Sequence, residues 1–82
     1  MKRNDPGIVD YYDGEVVRMM VEKYGFTPME ALRQFVQSRT HELLEDEDAG
    51  LTEFGAGAIL DIWEAEKITG DPRNSVHLRS EA

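Results

Sequence analysis

The sequence contains no cysteine, which excludes a disulfide framework and a cysteine-based zinc finger. A secreted domain of 82 residues would usually carry disulfides. Their absence favours a protein of the reducing cytoplasm, or one that oligomerisation stabilises instead. No run of 18 apolar residues occurs in the 82, so we expect no membrane-spanning helix. Acidic residues and a proline interrupt the first 13 residues, which argues against a signal peptide. We expect one small domain, residues 1–82, with a core that is marginal for its size.

Positive charge is scarce in the middle of the chain. Residues 41–67 contain nine acids and one base, so this segment alone carries the net charge of −8. The remaining residues contain eight acids and eight bases and are neutral. A surface of this sign repels nucleic acid and anionic membranes, and it attracts basic proteins or keeps a small protein in solution.

Helical spacing of apolar residues predicts a first helix within residues 8–24. The stretch 15–24 is the firmest part, because Gly14 weakens the start of the helix. Gly25 is well placed as the left-handed residue that ends it. The predicted apolar face consists of Val9, Tyr12, Val16, Val17, Met20, Val21 and Tyr24.

The segment FTPME predicts the start of a second helix. Thr27 and Glu30 have the spacing of a reciprocal capping box, and Pro28 occupies the first helical position. The helix either runs unbroken to about Asp46 or bends near Ser38 into two pieces. Its predicted apolar face consists of Leu32, Phe35, Val36, Leu43 and Leu44.

A last helix is predicted from Thr52 or Phe54 to Ile68, because Gly70 and Pro72 stop it there. Its predicted inner face consists of Leu51, Phe54, Ala58, Ile59, Ile62 and Trp63. Residues 1–7 and 71–82 are expected to be flexible ends. The predicted fold is therefore all-α, a compact bundle of three helices, or four if the second divides near Ser38.

The segment HELLEDEDAG, residues 41–50, begins like a zinc-protease motif and ends like a calcium loop. The protease motif needs a second histidine where Glu45 stands. The only other histidine is His77, in the predicted tail. In calcium-loop register, Ala49 and Ala56 fall on ligand positions. We therefore predict no metal and no cofactor, and interpret His41 and Glu45 as an exposed pair on a helix.

Four residues of the last helix are candidates for an interaction surface. We expect Leu60 on the flank of the helix and the edge of Trp63 exposed beside it, with Asp61 and Glu64 as a charged rim. For Trp63 as a whole, a core position in the bundle is the favoured interpretation, and both interpretations hold if the core continues into a dimer interface.

Two stretches carry a resemblance to known families. EVVRMMVEKYGFTPMEALRQFV resembles the helical hairpin of ribbon–helix–helix repressors, in which a preceding basic strand reads DNA; GIVDYY stands there and contains no base. Residues 15–75, through HELLEDED, DIWEAEK and TGDPRNS, look like small uncharacterised bacterial proteins, some of which resemble partners in toxin–antitoxin-type gene pairs. That resemblance implies binding to a partner and no catalytic residue.

These observations favour a cytoplasmic protein–protein interaction module that is not an enzyme. We expect it to bind a protein partner, which could be basic. Whether it also forms a homodimer is left open. A DNA-binding regulator that uses the first two helices is the alternative. A metal-dependent enzyme centred on His41, the only plausible catalytic base, is the second alternative.

Overall fold

The computed structural model describes residues 2–78, which form an all-α bundle. Within these residues no helix is long and apolar enough to cross a membrane. The four α-helices are α1 (Pro6–Tyr24), α2 (Pro28–Val36), α3 (Arg39–Glu45) and α4 (Ala56–Thr69), and short 3-10 turns cover Glu47–Ala49, Leu51–Glu53 and Pro72–Asn74. The predicted fold class is confirmed, in its four-helix form.

Helix α1 begins earlier than the sequence predicted. The carboxylate of Asp5 accepts a hydrogen bond of 2.7 Å from the backbone N–H of Gly7, and Pro6 occupies the first turn. The cap is strong enough that Gly14 lies inside the helix. The segment GIVDYY is therefore helical in this chain and provides no strand ahead of the hairpin. Gly25 ends α1 in the left-handed conformation (φ 75°), as predicted.

The start of α2 agrees with half of the predicted capping box. The Thr27 hydroxyl accepts a hydrogen bond of 3.2 Å from the backbone N–H of Glu30. The Glu30 carboxylate does not reach back to Thr27, because it instead contacts Gln34 at 3.1 Å and Arg33 at 3.5 Å on the next turn. The cap is therefore one-sided, with Thr27 as the acceptor.

The predicted second helix is interrupted at Ser38, which separates α2 from α3. The Ser38 hydroxyl donates to the carbonyl of Phe35 at 2.6 Å and accepts from the backbone N–H of His41 at 3.1 Å. One buried hydroxyl thus closes the end of α2 and caps the start of α3. Of the two forms left open for the second helix, the divided one is present.

The core lies where α1, α2, α3 and α4 meet. Its fully buried centre is formed by Phe35, Met20, Leu44, Leu51, Ile59, Ile62 and Val16. The prediction for α2 is partly wrong, because Leu32 and Val36 remain 38% and 41% exposed. Together with Met29 they form an apolar stripe beside the buried Ala31 and Phe35, since the apolar arc of α2 is wider than the part that its neighbours cover.

Parts of both predicted flexible ends contact the bundle within the described residues. The backbone N–H of Asn4 donates to the carbonyl of Glu45 at 2.8 Å, and its side chain donates to the carbonyl of Leu44 at 2.7 Å. At the other end, Pro72 is fully buried and Ser75 is 4% exposed. Residues 1 and 79–82, which belong to the predicted flexible ends, lie outside the described residues.

Candidate functional site

His41 is buried, so its interpretation as an exposed helix residue is wrong. Only 8% of the residue is accessible, because its ring lies between α1 and α3 with its plane nearly perpendicular to that of Phe35. Its Nε2 is 2.9 Å from Oδ1 of Asp13, and its Nδ1 is 3.6 Å from Oε1 of Glu45. The predicted partner Glu45 is present at the weaker contact. Asp13, the closer partner, was missed because helical spacing within one segment cannot indicate contacts between segments.

The surroundings of His41 favour its charged form. The contact with Asp13 raises the pKa of the imidazole, and the charge of Glu45 acts in the same direction. Burial opposes both effects, but the net shift of the pKa is upward. Although Nε2 and Oδ1 are within hydrogen-bonding distance, neither atom has an aligned hydrogen bond. The contact is therefore best described as a buried ion pair between α1 and α3.

Asp13 covers the Nε2 atom of His41. A general base must reach the proton of its substrate, whereas Nε2 of His41 is buried against Asp13. Among residues 2–78, no three histidine, aspartate or glutamate side chains are arranged to hold a metal ion. Through its contact with Asp13, His41 links α3 to α1.

Two clefts adjoin on the surface around this ion pair. They share Arg3 and Glu45, whose Nη1 and Oε2 atoms are 3.5 Å apart. The volumes of the two clefts are about 350 and 420 Å³. The smaller is lined by Arg3, Glu42, Leu43, Glu45 and Asp46, and the larger by Arg3, Asn4, Asp5, Pro6, Val9, Asp10, Asp13, His41 and Glu45. We call this pair of cavities the acidic clefts, because six carboxylates line them against Arg3 and His41 alone.

The four candidates on α4 are divided between the core and the surface. Leu60 is 5% exposed and Trp63 is 4% exposed, so the prediction that they form an exposed patch is wrong. Helix α4 is contacted by α1, by α3 and by the turn Pro72–Asn74, so more of its circumference is covered than two helices would cover. Asp61 is exposed and lies 3.2 Å from the ring of His77, while Glu64 pairs with Lys23 at 2.6 Å and with the hydroxyl of Tyr24.

An apolar groove lies between the end of α1 and the last turns of α4. Its volume is about 370 Å³, and it is lined by Tyr24, Phe26, Gln34, Trp63, Glu64, Lys67 and Ile68. We call it the aromatic groove. Two of the sequence candidates, Trp63 and Glu64, belong to it. The other two aromatic residues, Tyr24 and Phe26, flank Gly25 in the segment YGF. Their part in a groove could not be predicted, because the groove depends on how α4 packs across that turn.

Comparison of this chain with known protein families, with curated proteins and with solved structures finds no match. The function is therefore inferred from the surface and the buried residues of the chain itself.

Proposed function

We propose that this protein is a small acidic interaction module whose acidic clefts bind a basic protein partner. The observation that carries the proposal is the convergence of six carboxylates from the N-terminal segment, α1 and α3 on two adjoining cavities. An antitoxin-like or accessory role, in which the chain neutralises a basic protein, follows from the same charge and from the resemblance described above.

The partner's anchoring group would be an arginine or lysine side chain. A guanidinium is planar and pairs with a carboxylate through two parallel hydrogen bonds, which matches a cavity wall rich in carboxylates. The net charge of −8 would attract such a partner over long distances and accelerate its association.

The larger cleft contains carboxylates of different exposure. Oδ1 of Asp13 is buried and lies 2.9 Å from Nε2 of His41, so this oxygen is already paired within the chain. Asp10 is exposed at the rim of the same cleft. The cation of the partner would therefore bind at the rim, through Asp10.

The test uses a short arginine-rich peptide and two double variants with the same change of net charge. Asp10→Asn with Glu42→Gln removes two exposed carboxylates that line the clefts, whereas Asp48→Asn with Glu53→Gln removes two exposed carboxylates outside them. At about 0.5–1 kcal/mol per lost pair, the cleft variant should bind the peptide roughly 5- to 30-fold more weakly. Calorimetry measures the affinity, and amide chemical shifts locate the site.

The control variant should lose less than about 2-fold in affinity. Its two carboxylates lie outside the clefts and attract the peptide only over long distances, where salt screens the interaction. Equal losses from the two double variants would mean that only net charge matters and that the clefts are not a site. Peptide-induced shifts that avoid residues 3–13 and 41–46 would lead to the same conclusion.

A further inference from the structure

The aromatic groove has an apolar floor that the fold leaves open. The ring of Tyr24 lies 5.6 Å from that of Phe26 and 6.1 Å from that of Trp63, measured between centroids, so the three rings are in contact. Tyr24 and Phe26 reach the surface, and the buried ring of Trp63 lies beneath them. Glu64 fixes this arrangement, because its carboxylate accepts hydrogen bonds from the hydroxyl of Tyr24 and from Nζ of Lys23. The hydrogen bond to Glu64 also raises the pKa of the Tyr24 hydroxyl, which therefore stays a donor at neutral pH.

Ile68 projects from the rim of the same groove. It is 83% exposed, more than any other large apolar residue described, and it follows Lys67 on the last turn of α4. The groove and the exposed side chain thus form one surface, with a cavity and an apolar projection side by side. Such a surface is self-complementary under two-fold symmetry, since each copy can insert its projection into the cavity of the other.

We propose that a second copy of this chain occupies the aromatic groove, with Ile68 of each protomer packed against the aromatic rings that line the groove of its partner.

The charges around the groove favour this occupant over a basic protein. The lining contains Lys67, whose Nζ lies 5.4 Å from the centroid of the Trp63 ring. Lys67 makes no ion pair among residues 2–78, whereas Glu64 is paired with Lys23. The rim is therefore slightly cationic on a chain of net charge −8. In a two-fold contact the same rim comes from both copies, so the contact joins the least negative parts of two acidic molecules. A basic protein would instead be attracted to the acidic clefts.

The dimer would use a surface separate from the acidic clefts, so this inference does not rest on the proposed function. No residue lines both the groove and the clefts. Cleft variants that lose the basic peptide should therefore still dimerise, and groove variants that lose the dimer should still bind the peptide.

The experiment compares the wild-type chain with Ile68→Asp and with Val76→Asp by sedimentation equilibrium over a concentration series. Val76 is the matched control, because it is apolar and 77% exposed but does not line the groove. Burying one isoleucine strengthens association about 10- to 150-fold, and each dimer buries two, so Ile68→Asp should weaken dimerisation at least about 10-fold. Val76→Asp should dimerise like the wild type.

Circular dichroism checks that both variants remain folded, which their exposed positions lead us to expect. Dilution of the wild type should also shift the amide signals of Tyr24, Phe26 and Ile68. A wild-type chain that stays monomeric at about 1 mM would overturn the proposal. So would a dimer that tolerates Ile68→Asp as well as it tolerates Val76→Asp, because another surface would then hold it together.

Discussion

Glu66 on α4 caps the start of α3 through Thr40. Its Oε1 accepts hydrogen bonds from the backbone N–H of Thr40 at 2.9 Å and from the Thr40 hydroxyl at 2.7 Å, while its Oε2 accepts from the backbone N–H of Arg39 at 3.0 Å. A carboxylate at this position satisfies unpaired N–H groups and interacts favourably with the helix dipole. Since α3 has only seven residues, it depends on contacts of this kind from outside.

Replacing Glu66 should therefore destabilise the whole fold. Glu66→Ala leaves two N–H groups and the buried Thr40 hydroxyl without their acceptor, and hydrogen bonds to a charged group contribute about 1.5–3 kcal/mol. Glu66→Gln keeps one acceptor oxygen and should lose less. Urea unfolding measures the free energy of each variant against Glu47→Gln, an exposed acid of the neighbouring turn that should change little. Equal stability of all three variants would exclude the capping role.

Thr27 provides a test of local capping. Thr27→Ala removes the acceptor for the N–H of Glu30 and should lower the free energy of unfolding by about 0.5–2 kcal/mol. Thr27→Ser keeps the hydroxyl and should be nearly neutral in the same urea titration. If serine lost as much as alanine, the methyl group of threonine and not its oxygen would be responsible.

Leu60 should behave as a core residue. Because it is 5% exposed, Leu60→Ala should cost about 2–5 kcal/mol, and Leu60→Glu should unfold the chain by placing a charge in the core. Val76→Ala, at a position that is 77% exposed, is the control and should stay within about 0.5 kcal/mol of the wild type. Circular dichroism during thermal unfolding distinguishes these outcomes. If the Leu60→Glu variant remained helical and stable, Leu60 could not be a core residue.

His41 should make stability depend on pH. Its pKa in the folded chain is raised above the unfolded value of about 6.5, chiefly by Asp13. The ion pair therefore contributes fully below about pH 6.5, and its contribution is lost as the pH rises through the folded pKa. We compare the unfolding free energies of the wild type and Asp13→Asn from about pH 5.5 to about pH 9. The difference between them should be largest at the acidic end of this range and should decrease as the pH rises. The two proteins differ only at residue 13, so the difference isolates the contact between Asp13 and His41. A constant difference across this range would mean that Asp13 acts without the charge of His41.

Local chemistry in the sequence predicts most of the helix boundaries. Thr27, Pro28, Gly25 and Gly70 mark ends that depend on a few neighbouring residues, and the structure has helix ends at all four. Periodicity within a helix also identifies its apolar side. It does not tell how many neighbours the helix will have, which is why Leu60 was placed on a flank.

The candidate site was harder to predict because its contacts join distant segments. His41 meets Asp13, which is 28 positions away along the chain, and the carboxylates of the clefts come from three separate segments. The overall negative charge could be counted in the sequence, but the position of the cavities depends on the docking of residues 2–5 against α3. The aromatic groove likewise exists only once α4 has packed across the YGF turn.

The two ends of α3 are held by segments that precede and follow it in the sequence, which affects folding during synthesis. Asn4 satisfies the carbonyls at one end of α3, and Glu66 caps the N–H groups at the other. A ribosome that has just synthesised residues 39–45 has produced a seven-residue helix that cannot persist alone. The helix becomes stable only after residue 66 has left the exit tunnel, so we expect the bundle to form only once α4 is available to cap α3.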